Sequence, residues 1–163
     1  MTAHATLLPA ALTEQGLAYD PWRDLYENWP AYEVRIEPMG DDLLGEIREG
    51  DIIALRAGTS SGQLRSTLTH EIVHLERGLE SCGQWQAREE AAVEAEVARR
   101  LLPLELLAAA IRDIGGDTDQ ARLCAMLDVD HLILQVRIGQ LRGSELRTLR
   151  RLLGPQRDLW SVA

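Results

Sequence analysis

Phenylalanine and lysine are both missing from this chain, and cysteine occurs only twice. No apolar run approaches the ~20 residues of a membrane span. Two cysteines, Cys82 and Cys124, cannot build a disulfide framework, which points to a reducing compartment. No secretory leader is apparent, because Leu7-Leu8 lacks a basic flank and is interrupted by Pro9. The expectation is a cytoplasmic protein with no membrane contact. Internal repeats and low-complexity segments are also absent. What is present is enough for one domain with a real core: 163 residues, 45% of them hydrophobic.

The charge is one-sided and unevenly spread. All 17 basic residues are arginine, against 26 acidic ones, for a net of −9. Residues 1–117 carry 10 arginines against 21 acids, a net of −11, whereas residues 118–163 carry 7 against 5, a net of +2. The overall balance argues against broad nucleic-acid binding, which rests on neutralising phosphates. The tail keeps a small basic set, Arg137, Arg142, Arg147, Arg150, Arg151 and Arg157, so duplex contact there stays open.

His70-Glu71-Ile72-Val73-His74 carries the chemistry. Histidines at i and i+4 of an α-helix project from one side, a turn apart, and both imidazoles can reach one zinc ion. The glutamate between them can take a proton from an activated water. The segment should be helical, with Thr59, Ser60 and Ser61 as N-cap candidates and Gly78 as a stop. Leu64, Leu68, Ile72, Leu75 and Leu79 form an apolar stripe pointing away from the histidines. Two histidines on a solvated face would read the same way, so a second helix supplying a carboxylate is needed.

Arg88 to Pro103, rich in alanine and leucine, is helical by propensity. Glu90 and Glu94 extend the stripe of Val97 and Leu101, and acids on a core-facing stripe are costly unless paired or metal-bound. Residue types alone leave both as candidates, and the helix could also lie at the edge of the core. Glu96 and Arg100 form an ordinary i,i+4 surface pair, and Glu89 suits a solvated role. Cys82, between the two helices, is a further ligand candidate, although a fourth protein ligand would close the position that water needs.

With Thr69–Gly78 (T-H-E-I-V-H-L-E-R-G) followed by Glu90–Pro103 and a short helical tail, the chain resembles the ImmA/IrrE zinc metallopeptidases, especially the short actinobacterial and phage versions. The resemblance runs from about Leu43 to about Leu153. It implies a gluzincin arrangement, with zinc held by His70, His74 and Glu90 and with Glu71 as the catalytic base. Glu94 falls where the family usually carries Asn or Asp, in a place suited to hydrogen-bonding a ligand histidine. The family's phenylalanine-alanine pair is replaced by Glu96-Val97. The resemblance also implies a protein substrate, a basic helix-turn-helix repressor encoded nearby.

The rest of the chain supports an α+β fold in a single domain, 1–163. Residues 1–30 form an N-terminal segment with a short helix and aromatic anchors Tyr19, Trp22, Tyr26 and Trp29. Tyr32–Glu37 alternates as a strand does, and Gly45–Ile47 and Ile52–Leu55 flank a hairpin turn. The expectation is a small antiparallel sheet packed on a zincin-like helix pair. Arg48 to Leu55 is the candidate edge for an extended substrate, or a purely structural hairpin. A C-terminal helical subregion, 104–163, follows: Leu104–Ile114, Thr118–Leu127, His131–Leu141 and Ser144–Leu153, with Pro103 in a first turn and Ser144 as a cap. The middle pair has helix-turn-helix spacing. His131 reads as a surface residue. The function expected is a zinc-dependent endopeptidase; the competing reading is a regulatory binding protein whose zinc site is structural or vestigial.

Overall fold

The computed structural model describes residues 18–78, 86–115 and 119–154. Leu79, Cys82, Arg157 and most of the N-terminal segment lie outside the described residues. The architecture is α+β. Helix α1 spans Pro21–Asn28; strands β1 (Glu33–Glu37), β2 (Gly45–Arg48) and β3 (Ile52–Arg56) follow. Among the described residues six more helices come after them: α2 (Ser61–Arg77), α3 (Gln86–Leu101), α4 (Leu104–Asp113), α5 (Gln120–Leu127), α6 (His131–Gln140) and α7 (Gly143–Leu153). Among the described residues no helix is long and apolar enough to cross a membrane.

The sheet differs from the expected one. β2 and β3 do form an antiparallel hairpin, turned through Gly50 and Asp51 with φ of 83° and 58°. β1, however, pairs with β3 in parallel, giving the order β1-β3-β2 and a mixed sheet. The reason is burial. Ile53, Ala54 and Leu55 of β3 are all fully buried, so this strand needs a neighbour on each side and takes the centre. Among the described residues, β1 is the one strand beyond the hairpin, and it fills the second side.

Helix α2 separates two cores. Leu68, Ile72 and Leu75 face the sheet with Ile53, Leu55 and Leu25, as the apolar stripe predicts. Val73 faces the other way, into a helical core with Val93, Val97, Leu101, Leu107 and Leu134. The start of α2 is fixed by a capping box: Ser60 Oγ accepts from Gln63 N at 3.2 Å, and Ser60 N donates to Gln63 Oε1 at 3.1 Å. Gly78 ends it at φ 77°. On α1 the buried face is Pro21 and Leu25, which leaves Trp22 and Tyr26 exposed; they are not anchors.

The C-terminal helices lie within a residue or two of the expected bounds, with Pro103 as the cap before α4 instead of inside its first turn; Thr118 lies outside the described residues. Ser144 lies inside the first turn of α7, where Arg142 holds the cap position. The turn with helix-turn-helix spacing is pressed against α2. A Cβ at Gly62 would come within 2.9 Å of the Val129 backbone. Ser61 Oγ donates to Asp128 Oδ1 at 2.5 Å, and Asp130 N donates to Ser66 Oγ at 3.2 Å. The buried Arg65 guanidinium donates to the carbonyls of Leu127, Asp128 and Tyr19 at 3.0, 3.1 and 2.7 Å. Arg137 is withdrawn from the basic surface: it is 3% exposed and donates to Leu102 O and Glu145 at 2.9 Å each.

Candidate metal centre

The two histidines sit one turn apart on α2, where the capping box and two cores hold the helix, and Glu90 reaches them from α3. His70 Nε2 and His74 Nε2 are 3.0 Å apart. Glu90 Oε2 lies 3.3 Å from the first and 3.5 Å from the second. Three ligands at roughly 2.0–2.1 Å from one tetrahedral zinc would lie about 3.3 Å from one another. The triangle therefore has the size and donor set that zinc requires, and these three are the described residues grouped closely enough to hold a metal ion. Burial holds His70 below the usual imidazole range; the neighbouring His74 adds to this, and Glu90 opposes it. A neutral imidazole is the form that binds metal.

Glu71 follows His70 on α2 and is 7% exposed. Its carboxyl is raised to about 7, first by burial, then by the charges of Glu90 and Glu46. A dication in the triangle would counter that rise by favouring the carboxylate. The closeness of β2 explains the burial. A Cβ at Gly45 would overlap the Thr67 methyl and come within 3.0 Å of Glu71 Oε1. Glycine at 45 thus lets the strand lie directly on the turn of α2 that carries Glu71.

Among the described residues β2 is also an open edge. Arg56 N donates to Leu44 O at 2.9 Å, so Leu44 and Arg56 form a hydrogen-bonded pair. In an antiparallel ladder these pairs alternate. The pairings Glu46–Ala54 and Arg48–Ile52 are then the bonded ones, and Gly45 and Ile47 turn their backbone groups outward. The expected substrate edge, Arg48 to Leu55, is corrected accordingly. Ile52–Leu55 belongs to the central strand, with both sides taken, and the free edge beside Glu71 is Gly45–Arg48.

Glu94 lies one turn beyond Glu90, but among the described residues no hydrogen bond or ion pair joins it to either histidine. Burial raises its carboxyl, with Glu90 and Asp130 adding to the effect. The Glu96–Arg100 pair forms as expected at 2.8 Å, and Arg100 also grips Glu76 with two N–H groups. Glu89, read as solvated, is instead held by a forked pair with Arg77. His131 opens α6 on the surface. Gly45 and the Arg77–Glu89 pair are what sequence reasoning missed. A lone glycine at a strand start hints at close approach, but a pairing between two helices leaves no periodic trace. Compared with family models, curated proteins and solved structures, the chain matches none.

Proposed function

We propose that the chain is a zinc-dependent endopeptidase of the H-E-x-x-H…E type that cleaves a basic helix-turn-helix transcriptional repressor at one site. The observation that carries this reading is the juxtaposition of three elements: the His70–His74–Glu90 triangle, a buried carboxylate next to it at Glu71, and an open strand edge at Gly45–Ile47. A site that only stabilises the fold has no use for the second and third. Among the described residues three protein ligands meet, rather than four, which fits a centre that keeps a position for reactants.

His70, His74 and Glu90 would hold the ion, and zinc, when bound, supplies the Lewis acidity that brings water towards ionisation near neutral pH. Glu71 takes the proton of the attacking water and returns it to the departing amine nitrogen. The outward N–H and C=O groups of Gly45 and Ile47 align an extended peptide by adding it to the sheet. The β2 edge is only four residues long, so it grips a short stretch of peptide. Selectivity then depends on docking a folded partner, and the −11 charge over residues 1–117 favours a basic one.

The test is incubation of wild-type protein and Glu71→Gln with the repressor encoded beside it, with fragments mapped by mass spectrometry. One discrete cut by wild type, lost on chelation and in Glu71→Gln, supports the reading. Equal derepression by both proteins would mean that binding, rather than hydrolysis, is the activity.

A further inference from the structure

We propose that the forked Arg77–Glu89 pair is the positioning device of the metal centre, holding the first turns of α3 against the end of α2 so that Glu90 stays at its histidines. This rests on the reading of the His70–His74–Glu90 group as a metal site.

The need for such a device follows from where the helix is packed. The core contacts of α3 begin at Val93 and continue through Val97, Ala98 and Leu101. Before Val93 no described side chain of α3 is buried: Ala87, Arg88 and Ala91 are exposed, and Glu89, Glu90 and Ala92 are intermediate. Glu90 is therefore carried on a stretch that extends past the apolar contact, where a helix frays most readily. A ligand displaced by a fraction of an ångström loses its bond to the metal, so something polar must fix this stretch.

Arg77 supplies it from the last turn of α2, one turn after His74. Its Nε and Nη2 donate to the two oxygens of Glu89, Oε1 and Oε2, the second at 3.0 Å. Two parallel bonds fix direction as well as distance, which a single lysine-type contact would not do. Glu89 is the residue before the ligand, so its capture sets the rotation of the turn that aims Glu90. The fork also occupies the carboxylate that could compete with Glu90 for the ion. The second forked contact between these helices, Arg100 to Glu76, ties a part of α3 already held by the core and cannot replace it.

The test uses the full chain and zinc itself as the probe, measured by competition with a chelating indicator. Arg77→Met and Glu89→Gln should each weaken zinc about tenfold, the lower end for loss of a group that orients a metal ligand. The melting temperature of the metal-free protein should move little, since the pair is partly exposed. The double exchange Arg77→Glu with Glu89→Arg should recover most of the affinity. At 1 M salt, where charges are screened beyond ~3 Å, wild type should approach the single variants. Single variants that bind zinc like wild type would overturn the proposal, as would an exchange that restores nothing. Absence of zinc binding by wild type would instead overturn the metal site and this inference together.

Discussion

A hydrogen atom is all that position 45 can accept without displacing the residues that face it. The Thr67 methyl is on a stiff, β-branched side chain inside a helix and cannot turn away cheaply. Gly45→Ala should destabilise the protein by about 1–3 kcal/mol through overpacking and should lower hydrolysis as well, because Glu71 Oε1 lies on the same path. Denaturant unfolding and a cleavage assay would report the two effects separately. The ligand assignment is equally specific. Glu90→Ala should lose most of the zinc, and Glu94→Ala should keep it, since Glu94 contacts neither histidine among the described residues. Metal analysis after gel filtration reads the difference, and the reverse result would shift the ligand by one helical turn.

Between elements, α2 is the axis of the account, and the α5–α6 turn is what steadies its first half. The buried Arg65 guanidinium serves three carbonyls from two separate parts of the chain. Arg65→Met would leave them without that donor, at a cost on the order of 2–3 kcal/mol, or roughly 5–10 °C in melting temperature. A thermal melt checks it, and an unchanged melting temperature would mean that water replaces the guanidinium. Much of this layer was legible in the sequence. The 3.6-residue stripe, a cap among Thr59, Ser60 and Ser61, and the stop at Gly78 located α2; alternation located β1, and the hairpin turn located β2 and β3. Strand order was not legible, because β1 carries no mark of which neighbour it will choose; the buried centre at Ile53–Leu55 decides it. Nor was the fate of Arg137, which looks basic and exposed in sequence yet donates to Leu102 O inside the helical core. For the site, spacing gave His70, Glu71 and His74 from one helix. The carboxylate from α3 rested on a resemblance until the distances placed Glu90 with them.

For the whole molecule, the proposed function makes charge the test of partner choice. With Arg137 buried and Arg157 outside the described residues, the basic set from Arg137 to Arg157 reduces to Arg142, Arg147, Arg150 and Arg151. Four phosphate contacts would give a log–log salt slope no steeper than about −4. Against a net of −9, duplex binding at physiological salt should be weak and insensitive to sequence in a mobility-shift assay. Tight, selective binding would favour the regulatory reading. Cleavage of a basic repressor should slow as salt rises, and casein-like proteins should survive.

If His70, His74 and Glu90 hold a metal and Glu71 is the base, the two share one site and do different work. The measurement that tests it most directly is zinc affinity and repressor cleavage on the same preparations of wild type and Glu71→Gln. Both proteins should carry about one zinc per chain, held with similar affinity, and wild type alone should cleave. Loss of zinc in Glu71→Gln would make Glu71 a ligand, and equal cleavage by the two proteins would remove it as the base; either result contradicts the account.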